Sequence, residues 1–465
     1  SDEPDKYPIG TEFPADMRIE HRRSLDKVQR NLREIGGVSV LIYDQTCAAE
    51  KRRRRKRGRI GDPSRRVFIN ARVCEGCGDC NVKSNCMSVL PADTPFGRKR
   101  RIDQSACNKD YSCAEGFCPS FVSIIGGRPR RAATGVEPPS HLVDLPGSTL
   151  TPLATDRPFN LLVAGVGGTG VVTIGAILTM GAHIEGKAFS TVDQFGMAQK
   201  GGAVTSHIRI AETADAIRAV RLNAGAADLV LGCDSLVTGD ELALSVMAPG
   251  KTHVLVNTHE QITGDFTRNP DLTFPTESLA KRIAVAAGNK VVFHNVSRLA
   301  TRLLGDSIGS NLMLLGVACQ MGLLPVGAQA IEAAIEMNGV AVQMNRDAFA
   351  WGRRRALDPE AVTALVEDEP EASPDWHAEL TAYQDTELAD RHAALVEKVR
   401  AAETQKAPGQ SGLADVVARN AYALMAYKDE YEVARLHSDP AFHARLYETF
   451  EGDTRLAFHL APPLL

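Results

Sequence analysis

Short runs of apolar residues, each ending at a glycine or a polar residue, recur along the middle of the chain. They predict buried strands at Asn160–Ala164, Val204–Ile210, Leu229–Leu231, Thr252–Val256 and Lys290–His294. Helix-forming segments lie among and after these strands, notably Val171–Met180, Gly305–Met321 and Pro325–Gly339. Because strands that alternate with helices build an open, mostly parallel sheet, the sequence predicts an α/β domain here.

The pattern differs on both sides of this domain. Ser24–Ile35 has helical spacing, and Val38–Tyr43 has the type and length of a fully buried strand. Since one helix and one strand cannot bury a core, we expect the rest of that domain to be missing or supplied by another chain. Two short strands are predicted at Val67–Asn70 and Phe121–Ile125. From residue 359 we expect helix to the chain end, with an amphipathic helix at Leu413–Tyr431.

Seven of the ten cysteines lie within residues 74–118 and have regular spacing. The two runs are Cys74-x2-Cys77-x2-Cys80-x5-Cys86 and Cys107-x2-Asp110-x2-Cys113-x4-Cys118-Pro119. This is the pattern of a two-cluster bacterial ferredoxin, in which each run gives three ligands to one cluster and its fourth cysteine to the other. One cluster is therefore assigned to Cys74, Cys77, Cys80 and Cys118. The second is assigned to Cys107, Asp110, Cys113 and Cys86.

Two other roles for these cysteines are open. Disulfides would need an oxidising compartment, yet no signal peptide is recognised and Cys47, Cys233 and Cys319 are scattered singly. Zinc is the stronger rival, but zinc sites normally use two cysteine pairs separated by a longer loop. Three cysteines at two-residue intervals, closed by a distant Cys-Pro, favour an iron–sulfur cubane.

Asp110 occupies a cysteine position in the second run. It is either a plain loop aspartate or a carboxylate ligand, for which its spacing from Cys107 and Cys113 is suitable. Oxygen is a harder ligand than thiolate and holds iron less tightly. If Asp110 is a ligand, we therefore expect the second 4Fe–4S cluster to lose one iron readily and give a 3Fe–4S form.

Composition narrows the function classes. The chain has 465 residues, a formal charge of −4 and only 5% aromatic residues, which disfavours nucleic-acid binding as its main role. The run Lys51–Arg57 alone would suggest RNA binding, but such a run is more often a solvated basic face, and here it could also attract an acidic electron carrier. Leu161–Ala182 is uncharged and long enough for a membrane span. Its clustered glycines fit a strand, a turn and a helix better, so we expect no membrane insertion and a cytoplasmic protein.

A glycine-rich sequence, Gly165-Val166-Gly167-Gly168-Thr169-Gly170, joins a predicted strand to a predicted helix. Backbone N–H groups at such a turn can hold a phosphate. The candidate cofactor-binding residues are Gly165, Gly167, Gly168 and Gly170. The motif alone is also typical of a close-packed turn in an α/β domain, which we favour over NAD binding.

The residues near this turn do not complete a dinucleotide site. Its acidic residue would be Glu185 or Asp193, but neither follows an obvious second strand. Asp234, Asn257 and Asn295 each follow a predicted strand and are expected at the same carboxyl edge of the sheet. Polar residues at this edge bind ligands or cap loops.

Two stretches resemble a known enzyme family. Tyr43–Glu50, the basic run and the cysteine module are similar to the middle of the fused bacterial indolepyruvate ferredoxin oxidoreductases. Gly165–Gly170 together with Gln194–Val204 resembles the gamma-type domain of 2-oxoacid:ferredoxin oxidoreductases. The resemblance implies five parts: the end of a thiamine-diphosphate-type domain with a basic linker (1–60), a ferredoxin-like module (61–135), a linker (136–158), a gamma-type domain (159–358) and a helical C-terminal region (359–465).

The resemblance also implies a reaction. In the complete enzyme, thiamine diphosphate and magnesium support the oxidative decarboxylation of an aryl 2-oxoacid, coenzyme A takes the acyl group, and the clusters pass electrons to ferredoxin or a similar acceptor. The G-D-G…N-N thiamine motif is not found, so the chain is a fragment or a partner completes the site, and no catalytic residue is identified. A homodimer is implied. In this family the gamma-type domain helps to form the active cavity with the thiamine domain. The polar set either faces that cavity or only closes a turn; its members are Asp193, Gln194, Gln199 and Lys200.

Two other functions are open. The first is an iron–sulfur oxidoreductase that uses NAD or a flavin at the glycine turn. The second is a zinc- and RNA-binding adaptor that uses the cysteines and the arginine run. Colour, iron content and reduction by NADH distinguish these hypotheses.

Overall fold

The computed structural model describes residues 1–130, 136–196, 202–269, 271–366 and 373–460. The chain divides into two compact units. The first consists of Ser1–Ser64 with Asn108–Asp110, and the second consists of Arg65–Cys107 with Tyr111–Leu465. All of the cysteines in the two runs belong to the second unit.

The first unit has little regular structure. Helix α1 spans Leu25–Arg33, where helical spacing predicted it, and α2 spans Ala48–Lys56. The strand predicted at Val38–Tyr43 is wrong, because this segment is irregular and Val38 is 95% exposed. A strand is stable only beside a pairing partner, and no strand of the described residues pairs with this segment.

The second unit begins with the cysteine module. Its elements are β1 (Arg65–Ile69), α3 (Asp79–Ser84), β2 (Val89–Thr94), β3 (Gly97–Ile102), β4 (Phe121–Ile125) and β5 (Arg128–Pro129). Strands β1 and β4 form where the sequence predicted them and pair antiparallel, with Val67 opposite Ser123. Strands β2 and β3 form a hairpin that the sequence analysis missed.

The α/β domain follows. Its strands are β6 (Phe159–Val166), β7 (Ala188–Phe195), β8 (Ala203–Ala211), β9 (Leu229–Gly232), β10 (His253–Asn257) and β11 (Val291–His294). Its helices are α4 (Val171–Ile184), α5 (Ser235–Thr238), α6 (Glu241–Ser245), α7 (Asp265–Arg268), α8 (Thr276–Ala287), α9 (Val296–Leu304), α10 (Ser310–Gln320), α11 (Ala328–Asn338) and α12 (Val342–Leu357).

The sheet of this domain has the strand order β11-β10-β9-β6-β8-β7. Strands β11, β10, β9 and β6 are parallel, which confirms the predicted mostly parallel sheet. Strand β8 runs antiparallel to both of its neighbours. Strand β7 was missed because its burial alternates between half-buried and exposed residues and it contains no continuous apolar run.

Strand β6 is buried on both faces, which explains its unbroken apolar sequence. Leu161 and Val163 contact the core beneath α4 and α10, whereas Leu162 and Ala164 contact the core on the opposite side. The uncharged stretch from Leu161 is thus the end of β6, the glycine turn and most of α4. Within the described residues, no helix is long and apolar enough to cross a membrane.

The C-terminal region is helical as far as Thr449. Its elements are α13 (Pro359–Ala364), α14 (Trp376–Tyr383), α15 (Thr386–Lys406), α16 (Leu413–Met425), α17 (Glu430–Ser438), α18 (Pro440–Thr449), β12 (Phe450–Glu451) and β13 (Arg455–Phe458). The helix predicted at Leu413–Tyr431 is divided, since Asp429 accepts hydrogen bonds from N–H groups of α17 and starts a new helix there.

The last two strands correct the expectation of helix to the chain end. Strand β13 joins β4, with Leu456 opposite Ile124, so that the sheet of the cysteine module has the order β1-β4-β13. Strand β12 pairs with β5. Strand pairing between distant segments cannot be recognised from local periodicity, which explains the error.

One histidine of the α/β domain is buried without hydrogen bonds. His294 ends β11, is 7% exposed, and neither of its ring nitrogens has a partner among the described residues. Burial, with a smaller contribution from the positive charge of Arg355, lowers the pKa of His294 to about 4. The folded protein therefore holds this ring in its neutral form.

The effect of His294 on stability should appear on acidification. An unfolded histidine has a pKa near 6.5, so on acidification the unfolded chain takes up a proton before the folded protein does. The free energy of unfolding is therefore highest above about pH 6.5 and falls as the pH is lowered to about 4. Wild type should lose up to ~3 kcal/mol more than His294→Leu over this range, measured by urea unfolding. His377→Ala, at an exposed position on α14, is the control. Parallel pH profiles of wild type and His294→Leu would contradict the prediction.

Candidate metal centre

Two glycines shape the loop between β1 and α3. Gly76 and Gly78 have φ of +72° and +77°, in the left-handed region that favours glycine. A Cβ atom on Gly76 would collide with the carbonyl oxygen of Arg98 in β3. The loop therefore passes close to β3. It carries Cys74 and Cys77, and Cys80 follows in the first turn of α3.

Five cysteines line one cavity of about 430 Å³: Cys74, Cys77, Cys80, Cys113 and Cys118. The structure thus brings together all four residues that the sequence assigned to the first cluster, with one from the second. A water molecule takes up about 30 Å³ of liquid, so the cavity has room for a cofactor of several atoms. Among the described residues, no three His, Cys, Asp or Glu side chains are grouped as a site for a single metal ion.

Protein groups already make hydrogen bonds to the cysteine sulfurs. The N–H of Gly76 donates to Cys74 Sγ at 3.3 Å, and Ser120 Oγ lies 3.0 Å from Cys118 Sγ. In the second set, the N–H of Ser88 donates to Cys86 Sγ at 3.4 Å. Such contacts stabilise thiolates and adjust the reduction potential where iron–sulfur clusters are bound.

Burial favours the protonated form of two of the cavity thiols. It raises the pKa of Cys74 and raises that of Cys80 to about 12, with nearby Cys74 and Cys118 adding to the effect on Cys80. The protein alone therefore keeps both thiols protonated at neutral pH, and a bound metal would have to displace their protons. Two buried cations, Lys99 and Arg100, are adjacent to this set and can offset the negative charge of bound thiolates.

The second predicted set is only partly assembled by the observed contacts. Cys86 and Cys113 pack against the same apolar core, which includes Val67 and Phe121. Cys107 is half-buried and is the last residue of the segment Arg65–Cys107 of the second unit. Cys113 also lines the cavity with the first set, so the two predicted sites are adjacent.

Asp110 belongs to the first compact unit, together with Asn108 and Lys109. Its role as a ligand stays a prediction. Lys109 and Tyr111, the residues on either side of it, have φ of +58° and +62°. This conformation costs energy in residues other than glycine and is concentrated at functional sites, which makes the segment a reasonable place to look for a ligand.

The outer wall of the cavity comes from the opposite end of the chain. It consists of residues on α16, on α17 and in the loop between them: Ala423, Ala426, Tyr427, Lys428 and Val433. The sequence analysis missed these residues completely. Small, apolar and lysine side chains in a helical region carry no signal for a metal site, and their distance along the chain hides the contact.

The glycine turn follows β6 where the sequence placed it. The N–H of Val166 donates to Asp234 Oδ2 at 2.6 Å, and the N–H of Gly167 donates to the carbonyl oxygen of Gly202 at 2.8 Å. Two amide groups of the turn are therefore used within the protein, in agreement with a close-packed turn. Cofactor binding stays a prediction for all four glycines: Gly165, Gly167, Gly168 and Gly170.

The polar residues of the carboxyl edge hold loops and helices in place. Asp234 accepts a hydrogen bond from the N–H of Val237 at 2.8 Å and caps α5. Burial raises the pKa of Asp234. Asn257 donates to the carbonyl oxygen of Cys233 at 3.0 Å, and Asn295 caps α9. These contacts match the capping alternative that the sequence left open.

Part of the polar set near the glycine turn lies on the edge strands. On β7, Asp193 accepts a hydrogen bond from Ser206 of β8, and the side-chain amide of Gln194 lies 3.3 Å from His207 Nε2. Burial lowers the pKa of His207. The other two members, Gln199 and Lys200, lie outside the described residues.

Comparison with known proteins identifies the central domain. Residues 160–355 match the family described as pyruvate ferredoxin/flavodoxin oxidoreductase. Residues 374–465 match DUF6537, a family of unknown function. The central domain is therefore similar to the pyruvate ferredoxin/flavodoxin oxidoreductase family, and the cysteine module and the C-terminal region lie outside the residues of that match.

The relatives of this central domain are separate subunits. The chain is similar to the indolepyruvate oxidoreductase subunit IorB of Archaeoglobus fulgidus, with 28% identity over 211 residues, 44% of this chain and 98% of the relative. The IorB subunit of Pyrococcus horikoshii is 26% identical over 206 residues, 43% of this chain and 98% of the relative. A solved gamma subunit of a keto/oxoacid ferredoxin oxidoreductase from Geobacter sulfurreducens covers 43% of this chain and 98% of its own, with 23% identity and a TM-score of 0.31.

The close approach at Gly76 provides a test of the cysteine loop. Gly76→Ala should lower the stability of the protein and displace the loop, because it adds a collision to a backbone strain of about 1–3 kcal/mol. Gly97→Ala is the matched control, since Gly97 has φ of +90° but open space around its Cβ position. Thermal unfolding and titration of accessible thiols measure both effects. Equal thiol accessibility in the two variants would show that the contact with Arg98 does not hold the loop.

Proposed function

We propose that the chain is the electron-relay and gamma-type part of a thiamine-diphosphate-dependent 2-oxoacid:ferredoxin oxidoreductase. The observation that carries this proposal is the cavity lined by Cys74, Cys77, Cys80, Cys113 and Cys118, in a chain whose central domain is similar to that family. Four of these residues are the ligand set proposed for a first 4Fe–4S cluster. Cys86, Cys107, Cys113 and Asp110 are the set proposed for the second.

The residues present fit such a cofactor. The cavity volume suits a group of several atoms, the N–H of Gly76 donates to Cys74 Sγ, the hydroxyl of Ser120 lies beside Cys118 Sγ, and Lys99 and Arg100 can offset negative charge. When bound, iron–sulfur clusters supply transfer of single electrons. The chain's own contribution is to fix the sulfur positions, exclude water and set the local charge, which together tune the potential at which electrons pass.

The proposed substrate is an aryl 2-oxoacid such as indolepyruvate. Its support is the name of the relatives, which are indolepyruvate oxidoreductase subunits. In this proposal thiamine diphosphate and magnesium are held by a thiamine-domain region or partner chain, coenzyme A receives the acyl group, and ferredoxin accepts the electrons. In this proposal residues 1–60 are the C-terminal end of the thiamine-type domain and a basic linker to the cysteine module. Residues 359–465 are the C-terminal region.

The decisive experiment is anaerobic purification followed by iron and acid-labile sulfide analysis. We expect a brown protein with about seven or eight iron atoms per chain, the lower value corresponding to a three-iron second cluster. Addition of the thiamine-domain protein, an aryl 2-oxoacid and coenzyme A should then reduce the clusters or a viologen. A colourless protein with zinc would favour the adaptor hypothesis. Reduction by NADH without a 2-oxoacid would favour an NAD- or flavin-dependent enzyme.

Asp110→Cys tests the proposed carboxylate ligand. A thiolate binds iron more firmly than a carboxylate, so the variant should gain up to one iron per chain and lose the paramagnetic signal of an oxidised three-iron cluster. Electron paramagnetic resonance and iron analysis on anaerobic samples measure this change. Asp93→Cys, which adds a thiol at an exposed position on β2, is the control. An unchanged spectrum in Asp110→Cys would remove Asp110 from the ligand set.

A further inference from the structure

The region that matches a family of unknown function covers the cysteine cavity. Residues 374–465 include α16, α17 and the loop between them, which form the outer wall. Val433 of this wall is only 5% exposed and packs with Val73, the residue before the first cysteine. Lys428 forms an ion pair at 2.7 Å with Glu75, which lies between Cys74 and Cys77 in the cysteine loop.

A buried histidine of the same region connects the two cysteine runs. His437 donates from Nε2 to the carbonyl oxygen of Pro119, the residue after Cys118, at 2.8 Å. Its Nδ1 lies 3.3 Å from the side-chain nitrogen of Asn70. The ring is 5% exposed and contacts the ring of Phe458 with a centroid distance of 4.7 Å.

Asn70 carries this connection to the first run. Its carbonyl oxygen accepts a hydrogen bond from the N–H of Cys74 at 3.0 Å, and its own N–H donates to the carbonyl oxygen of Ser120 at 2.8 Å. Its side chain also donates to the carbonyl oxygen of Leu436 at 3.0 Å. His437 and Asn70 therefore bridge the backbone next to the first and the last predicted ligands of one cluster.

The third strand of the module comes from the same region. Strand β13 pairs with β4, which begins two residues after Pro119, and His459 lies 2.9 Å from the hydroxyl of Ser123 on β4. The cavity wall, the hydrogen bond of His437 and strand β13 are therefore all adjacent to the segment that carries Cys118.

We propose that residues 374–465 are the cover of the first cluster, with His437 as a positioning residue for the backbone at Cys74 and Cys118. This inference rests on the proposed function, because it requires that the cavity holds a cluster. The cover excludes water and oxygen from the cavity, and the histidine bridge keeps the two cysteine runs at the separation that the cofactor needs. The region of unknown function thereby acquires a role in retaining and insulating a redox centre.

Substitution of His437 separates this role from general stability. His437→Ala should release iron to a chelator about 10–100-fold faster than wild type, the range seen when outer-shell partners of metal ligands are removed. His437→Gln places an amide nitrogen near the position of Nε2 and should restore much of the retention. His377→Ala, which removes an exposed histidine of the same region, is the control. The loss of iron in His437→Ala should change the paramagnetic signal of the first cluster more than that of the second.

Trimming the wall gives an independent variant that keeps the histidine. Val433→Ala should accelerate bleaching of the visible absorbance in air several-fold, whereas Leu424→Ala, at an 86% exposed position on α16, should not. A wild-type protein without iron and sulfide would overturn the proposed function and the cover together. If wild type holds both clusters but His437→Ala and Val433→Ala retain iron as well as their controls, the cover is wrong and the proposed function stands.

Discussion

The grouping of five cysteines around one cavity, with Cys74 buried and Cys80 half-buried, is the constraint on which the rest of the second unit depends. Sulfur atoms that crowd together away from water are costly to ionise, as the raised pKa of Cys80 shows, and negative charge there must be balanced. The N–H of Gly76 and the buried Lys99 and Arg100 are placed to provide this balance. The cavity therefore combines apolar packing around its cysteines with groups that can offset negative charge.

The central sheet provides a different kind of order. Strands β6, β9 and β10 are continuous apolar runs packed on both faces, and the carboxyl ends of the parallel strands carry side chains that tie loops to helices. The antiparallel pair β8 and β7 closes one edge with a more polar surface. Family relatives exist as subunits of about this domain's length, whereas here the domain shares a chain with a cysteine module and a C-terminal region.

Local signals explain what the sequence could predict. The spacing of Cys74, Cys77 and Cys80 is set by one loop, and the strands of the sheet are apolar runs, so both are visible in short windows. The wall residue Val433 and the bridge at His437 are formed by contacts across most of the chain, and no window contains both partners. The strand prediction at Val38–Tyr43 failed for the converse reason. A run of apolar residues forms a strand only where a partner strand is present.

The pairing of β13 with β4 has a consequence for biosynthesis. The cysteine loops leave the ribosome well before the strand and the imidazole that complete their surroundings, because Asn70 and Leu436 are 366 positions apart. Until β13 and His437 have been synthesised, the nascent module lacks one edge of its sheet and one side of its cavity. Contacts of such high sequence separation form late in folding. The cysteine cavity is therefore open on this side during synthesis, and the later segment of the chain closes it.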